Sequence, residues 1–527
     1  MTTQSPLGNG GVDAVGQIET RGVDYIPEAE RHSRPKELIS VFFGTQLCFG
    51  IIVLGFIPVS FGLGWWGSVT STLVGLAVGS AIFAPLALLS TRTGTNSAVS
   101  SGAHFGVVGR VVGSLVGIFT AVGFYALTVW TGGQALVEGL HKLTGIPNGS
   151  GQFIVAYAII ASLTLVVAIY GHANVVLANR ILIPSMGFLL IVGVIILAPK
   201  FTTTPQSPEL LLGDFHATWL LSAAAAASLP ISYSPYVGDY TRYISAKRWS
   251  STRIVTCAFI GMFAGTAVAL CFAIYTAMTF GPDVTDWVAG LVDVSPSAYT
   301  AAIVIIALVG SCAQGALCVY GTGLDTSSIF PSLKRIPATL LIGLTGTGVV
   351  YIGSFVYSLV SAATAFLIIL LVVTAPWVVI NLIGYAMSGG KYHTQDLQVF
   401  NMHPRIAGGA YWFTHGWNRA AMLAWVPAIV VGMMFVNTTL YVGPWADVAG
   451  GIDLSFISAA VIGGLLYAVF VRVIPNSIVR PVAVSEEDDA ARLTALRESL
   501  QHSSPPHSTV SGMPLAAPIA TNQADLT

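Results

Sequence analysis

Three glutamines stand in otherwise apolar stretches: Gln46, Gln134 and Gln314. A carboxamide is uncharged and offers both donors and an acceptor, which matches the amide-like edge of a nucleobase or hydantoin. Trp130 precedes Gln134 by four residues, so on a helix the indole and the carboxamide share a face. An indole gives a flat surface on which a heteroaromatic ring can stack. Gln314 and Cys318 share a face in the same way, with Ser311 one turn from Gln314, and Thr45 adjoins Gln46. Each has a structural reading as well: Trp130 as an aromatic of the outer interfacial belt, Gln314 as a bond to a neighbouring helix. Taken together, three glutamines in three stretches are better explained by one polar cavity.

Residues 228–243, SLPISYSPYVGDYTRY, hold a second concentration of unusual chemistry. Pro230 and Pro235 lie five apart with Ser228, Ser232 and Ser234 between and beside them. Each proline removes a backbone donor and clashes one turn earlier. In lipid the freed carbonyls need partners in the protein or in a water-filled cavity. The stretch is therefore either a kink healed by its neighbours or one wall of a binding site.

Other chemistries are excluded. Cys48, Cys257, Cys271, Cys312 and Cys318 all fall in apolar segments without metal-ligand spacing, and read as packing residues. There is no HExxH motif, no mid-span histidine and no facing pair of aspartates in the spans, so the chain does not read as an enzyme. No Asp, Glu, Lys or Arg lies near the middle of a span. Such charges mark substrate or proton pathways. Their absence argues for a neutral substrate and against a relay of mid-membrane carboxylates.

The elements that position these groups follow from hydropathy. The 527 residues are 54% hydrophobic and 9% charged, with a mean hydropathy of +0.77, against roughly 25% charged residues in soluble domains. Net charge is -1, which says nothing about nucleic acid, and no long basic run is present; the expected partner is the lipid bilayer, with no nucleic acid. The polar start carries no cleavable signal peptide. Apolar stretches long enough to span fall at about 38–62, 66–90, 112–137, 152–170, 177–198, 217–237, 253–280, 297–323, 336–353, 356–387, 418–442 and 452–473. This predicts an all-α polytopic membrane protein of twelve transmembrane helices. The polar tails are 1–36 and 475–527. In the second, an acidic run at 486–489 leads into a short surface helix and then a largely disordered end. With both tails in the cytoplasm, 20 of the 22 Lys and Arg fall on that side, and only Lys142 and Lys200 fall outside. That asymmetry sets the orientation and requires an even number of spans. The expected location is the plasma (inner) membrane.

The first span is interrupted by Gly44, Gly50, Gly55 and Pro58, and the sixth by Pro230 and Pro235. They occupy the same position in two consecutive groups of five and run in opposite directions. Interrupted helices at matching positions of inverted halves point to a transporter's central site.

In the residues that surround these features the chain resembles the nucleobase-cation-symport-1 family, its purine–cytosine permease group, related to cytosine permeases and the hydantoin transporter. The similarity covers roughly 20–475. It rests on RGVDYIPEAERHSRPKEL before the first helix, on GDYTRY at 238–243, and on the Trp130–Gln134 pair. The resemblance implies a 5+5 inverted-repeat core with discontinuous helices one and six. The first repeat is 37–198, the second 199–387, and two further helices occupy 388–474. It implies that Trp130 stacks on a ring and Gln134 bonds its polar edge. Residues Leu229, Pro230 and Ser232 would supply a second surface, with Ser228 and Gln46 beside it. Gln314 and Cys318 fall where relatives place asparagines that read the substrate. Relatives carry an aromatic where this chain has Pro230, which leaves Tyr233 as the candidate for the second stacking surface. Sodium-coupled relatives use hydroxyls on helix eight, where Cys312 and Ala313 stand here. A hard cation prefers oxygen, so a degenerate cation site near Gly44, Ser311 and Cys312 is expected, with H+ favoured over Na+ as coupling ion and no other cofactor.

The reading is a secondary active symporter importing a nucleobase or related neutral heterocycle of the cytosine, purine, allantoin or hydantoin class by alternating access. The alternatives are an amino-acid or other small-solute transporter of the same architecture, or a non-transporting sensor.

Overall fold

The computed structural model describes residues 25–480 apart from 171, 205–208, 283, 330–334, 401–406 and 451, together with 491, 494 and 495. Of the expected tails, residues 1–24 and nearly all of the surface helix and disordered end after 486–489 lie outside the described residues.

The described chain is helical, with isolated bridges in place of strands. Helices α1 (Pro35–Gln46), α2 (Phe49–Ile52) and α3 (Ile57–Ser60) form the first predicted span. Helices α4 (Trp65–Phe83) and α5 (Ala87–Thr93) form the second, and α6 (Ser97–Phe105) is a short connector. Helices α7 (Val111–Thr144), α8 (Ser150–Tyr170) and α9 (His172–Leu197) are the third to fifth. Helices α10 (Phe215–Ser232) and α11 (Val237–Thr241) form the sixth, and α12 (Ser251–Ala277) the seventh. Helix α13 (Trp287–Val294) is short and lies between spans. Helices α14 (Ser297–Ile329), α15 (Arg335–Val356) and α16 (Leu359–Ser388) are the eighth to tenth. Helices α17 (Arg419–Met434) and α18 (Ser455–Val473) complete the set. Every predicted apolar stretch thus carries a helix. Among the described residues nine are long and apolar enough to cross a membrane, ten when the bent first pair counts as one. The sixth and eleventh predicted spans are not among them. Helix α10 carries His216, Thr218, Trp219, Pro230 and three serines in its 18 residues, and α17 has only 16 residues. The chain is a multi-pass membrane protein.

The two expected breaks differ. Between α1 and α2 the chain bends by 76°, through Leu47 at φ −83°, ψ 67° and the extended Cys48 at φ −139°, ψ 153°. The sixth span, by contrast, is not unwound at its prolines. Helix α10 runs through Pro230 to Ser232, Tyr233 keeps helical angles, and a 3-10 turn at Ser234–Tyr236 leads into α11. Ser228 Oγ donates to Ala225 O at 2.6 Å and Ser232 Oγ to Leu229 O at 2.9 Å. The two hydroxyls flank the proline in sequence, and each serves a carbonyl three residues back in its own helix.

Small residues bring the spans together. Gly261 and Gly265 of α12 meet the backbone of α1 at Leu38, Ile39 and Phe43. Gly75 and Gly79 of α4 meet the Ala223 and Ala227 carbonyls of α10, and Ser71 Oγ lies 2.8 Å from Ser222 Oγ. Helix α7 runs along α14. Helices α8 and α9 also pack on α14, and α15 and α16 on α7. Helices α8, α9 and α15 turn Ile, Leu and Val outward, among them Ile195, Leu344 and Ile352, as a lipid-facing surface requires.

The segment before α1 is a structured clasp. Ile26 N donates to Gly94 O at 2.9 Å and Ser33 N to Tyr243 O at 3.1 Å. Arg31, 4% exposed, donates from Nε to Ile26 O at 2.8 Å and from Nη1 to Thr91 O at 3.2 Å, and pairs with Glu28 at 3.2 Å. Gly94 has φ +67° and lies against the Arg31 guanidinium, so a side chain there would meet both strain and collision. Glu28 also accepts from Ser245. From residue 25 the segment ahead of α1 thus ties the start of α1 to the end of α5 and the loop after α11.

Candidate functional site

The bend at Leu47 and Cys48 places an interrupted backbone in the interior of the helix bundle. Gly50 lets α2 approach α7: a Cβ there would stand 2.7 Å from Thr128 Oγ1 and 3.2 Å from Thr128 Cα. Gln46 is 3% exposed, and its Nε2 donates to Thr45 Oγ1 at 3.2 Å, which donates in turn to Phe42 O at 3.1 Å. Cys48 is buried beside the break, with Cys318 of α14 in its neighbourhood. The Tyr233 hydroxyl approaches Thr45 and Tyr240. Its ring packs edge-on against Phe42 at 6.1 Å and Phe83 at 6.4 Å, and lies 5.6 Å from Tyr236. Gln46, Cys318 and Tyr233 are thus brought together around the break. Leu229 is buried in the same apolar core as Leu47 and Cys48, and Pro230 is buried inside α10. Gln314 is half-buried one turn from Cys318.

Trp130 and Gln134 are placed differently. Trp130 is 6% exposed, and its ring lies against Gly353 of α15, where a Cβ would stand 2.9 Å away. Gln134 Nε2 donates to Asp286 Oδ2 at 2.8 Å, and Gln134 Oε1 is buried with no hydrogen-bond partner among the described residues. The three residues expected near a cation face three different helices. Gly44 meets Ile183 of α9, Ser311 meets Gly132 of α7, and Cys312 is turned to Thr164 of α8. Among the described residues no group of three His, Cys, Asp or Glu side chains is arranged to hold a metal ion.

The ends of the site bring in residues that span-by-span reading missed. At one end Tyr236 Oη donates to Gly117 O at 2.5 Å, and Asp325 Oδ2 would stand 3.0 Å from a Cβ at Gly117. Asp325, Asp239 and Arg110 interact there, and Arg110 lies over the Phe400 ring at 4.9 Å. At the other end Asp286 caps α13: its Oδ1 accepts from Val288 N at 2.9 Å and Ala289 N at 3.0 Å. Asp286 is half-buried, and desolvation pushes its carboxyl above the usual range, against the three hydrogen bonds that pull it down. Trp287 beside it is fully buried, 5.7 Å from Phe49, with Nε1 donating to Thr276 Oγ1 at 2.9 Å. A cavity of about 580 Å³ opens at this end. Phe56 and Val360 line both it and a smaller cleft that reaches Asp286 and Trp287. None of the expected site residues lines either space. The only local signal for Asp286 was its place ahead of the apolar WVAGLV run, a capping position.

The family described as permease for cytosine/purines, uracil, thiamine, allantoin matches residues 25–458. The curated relative YxlA of Bacillus subtilis (strain 168), whose name places it provisionally among purine-cytosine permeases, is 26% identical over 472 residues. That is 86% of this chain and 96% of the relative. Among solved structures, Mhp1, a nucleobase-cation-symport-1 family transporter in a closed conformation with bromovinylhydantoin bound, is 16% identical. It superposes with a TM-score of 0.65 over 90% of this chain and 99% of its own. The inward-facing conformation of Mhp1 gives a TM-score of 0.67 at 15% identity, over 90% and 100%. This all-helical chain has the fold of these structures.

Proposed function

The chain belongs to the family of permeases for cytosine/purines, uracil, thiamine, allantoin, and we propose that it is a symporter that imports a neutral nucleobase or related heterocycle by alternating access. The observation that carries the reading is the break at Leu47 and Cys48, buried at mid-bundle with Gln46, Cys318 and Tyr233 around it. Interrupted backbone is tolerated at membrane depth only where protein or a cavity satisfies it, and in transporters it marks the site.

The helix pairings support a 5+5 repeat of 37–198 and 199–387, with 388–474 outside it. Exchanging spans one to five with six to ten turns the α1–α12 pair into α10–α4. It turns α8–α14 into α15–α7, and α9–α14 into α16–α7; α7–α14 maps onto itself. Twelve spans with both termini cytoplasmic then put Lys142 and α13 outside, and the Asp239, Asp325 and Arg110 group inside. In the substrate site Gln46, Gln134, Gln314 and Cys318 supply uncharged polar contacts and Trp130 and Tyr233 the ring surfaces. Leu229 and Pro230 form an apolar wall. Ser228 and Ser232 contribute through the carbonyls they hold. Proton coupling is favoured over sodium, because Cys312 and Ala313 stand where oxygen ligands would be needed.

The test is uptake of radiolabelled cytosine, uracil, hypoxanthine and allantoin into cells expressing the chain, with and without a sodium gradient. Uptake of at least one, lowered by Gln46→Leu and Gln314→Leu and independent of sodium, is expected. Uptake of none of them, or competition by amino acids instead of nucleobases, refutes the reading.

A further inference from the structure

Gln134 has its two polar ends in unlike surroundings. Its Nε2 donates to Asp286 Oδ2 at 2.8 Å, whereas Oε1 is buried with no partner among the described residues. An ionised carboxylate accepts and never donates. Asp286 therefore decides which way the carboxamide points: NH2 toward itself, carbonyl oxygen away. Asp286 has little freedom of its own, since Oδ1 is occupied by the Val288 and Ala289 amides. Its neighbour Trp287 is anchored to α12 through Thr276. The far end of α13 is bound to the helix that carries Gln134: Lys142 Nζ of α7 donates to Val292 O at 2.6 Å, Asp293 O at 2.8 Å and Ser295 O at 2.5 Å. Helix α13 is thus fastened to α7 at both ends, two helical turns apart, and the Gln134 carboxamide is one of the two fastenings.

We propose that Asp286 is a positioning residue that sets the hydrogen-bond polarity of substrate recognition. By holding one N–H of the Gln134 NH2, it points Oε1 away from itself as the unpaired acceptor open to a ring. The substrate must then bring an N–H or amino donor to that edge. A ring that offers a carbonyl or an N-methyl group there leaves a buried acceptor unpaired, which is the penalty that polar sites use to discriminate. The proposal rests on the reading of Gln134 as a substrate-binding residue. It adds to that reading the chemical class of edge selected and the residue that selects it.

Asp286→Asn tests it. Asparagine keeps an oxygen for the α13 cap but can turn an NH2 toward Gln134. The carboxamide is then free to reverse, with its own NH2 toward the ring. Asp286→Ser also caps the helix, is shorter, and leaves the carboxamide unrestrained. Purified protein and both variants are titrated in thermal-shift assays with uracil, 1-methyluracil and 3-methyluracil, and with hypoxanthine and 1-methylhypoxanthine. The unmodified protein is expected to prefer a parent base over at least one N-methyl derivative. In Asp286→Asn that preference falls by on the order of ten-fold, and Asp286→Ser lies between. A merely structural role would weaken parent and derivative alike. An unchanged parent-to-methyl ratio in both folded variants overturns the proposal and leaves the nucleobase reading standing. Binding of no compound by the unmodified protein overturns the nucleobase reading, and the proposal with it.

Discussion

Gly50→Ala should destabilise the protein, and the same change should cost nothing once Thr128 is shortened to alanine. Gly50 lies in the four-residue helix α2 just past the bend, where a Cβ would stand 2.7 Å from Thr128 Oγ1 and 3.2 Å from Thr128 Cα. Two effects compete. Replacing a helical glycine by alanine contributes up to about 1 kcal/mol of stability through backbone propensity. Forcing a methyl group into a packed site costs about 1–3 kcal/mol. Thr128 is 2% exposed in the interior of α7, so the oxygen has little room to retreat and the packing cost should win, for a net loss of about 1–2 kcal/mol. Thr128→Ala removes the nearer atom and leaves Cα at 3.2 Å, a contact that a small shift relieves. In that background Gly50→Ala should be neutral or slightly stabilising. The assay is a double-mutant cycle on thermal unfolding of the detergent-solubilised protein, with uptake measured alongside. The coupling between the two sites should fall within the range of about 0.5–3 kcal/mol seen for residues in contact. Equal costs of Gly50→Ala in both backgrounds would refute the argument that α2 is seated by contact with Thr128.

Other consequences are accessible to simple measurements. Tyr236→Phe removes the bond to Gly117 O that ties the 3-10 turn to α7; it should cost about 0.5–1.5 kcal/mol and speed the labelling of Cys318 by a maleimide, and an unchanged labelling rate would show that this bond does not restrict access to Cys318. Arg31→Ala strips donors from Ile26 O and Thr91 O; it should cost about 1–3 kcal/mol and expose the segment before α1 to proteolysis, while cleavage at the unmodified rate would show that the clasp is not held by Arg31. The raised carboxyl of Asp286 gives a pH dependence. A group whose folded-state pKa exceeds its unfolded value contributes stability that is complete below the unfolded pKa and is lost as pH rises through the folded one. The melting temperature should therefore fall as pH rises above the ordinary carboxylate range, and Asp286→Asn should flatten that slope; parallel profiles for the two proteins would count against a desolvated Asp286.

Much of the architecture was legible because a membrane helix has to be apolar along its own length, a requirement that local sequence carries. All twelve apolar stretches became helices, and the polar groups inside them were visible as exceptions. Gln46 stood out that way, Cys318 by its spacing from Gln314 and Tyr233 through the family resemblance; the structure places the three around one break. Local reading was less successful with backbone detail. It blamed glycines and prolines for two alike interruptions. The sharp bend falls instead at Leu47 and Cys48, while Pro230 stays helical. The side chains of Ser228 and Ser232 bond their own helix, a use that Ser and Thr often make of nearby carbonyls.

Counting carboxylates within spans also passed over Asp286, because it reaches Gln134 from a short helix 152 residues away in sequence. Composition by itself determined a multi-pass, helical protein, since burial in lipid acts on each segment separately. Only the tertiary structure decided that one glutamine has its polarity set by a loop carboxylate. Directional hydrogen bonds join groups by position in space, and neither spacing nor hydropathy encodes that pairing.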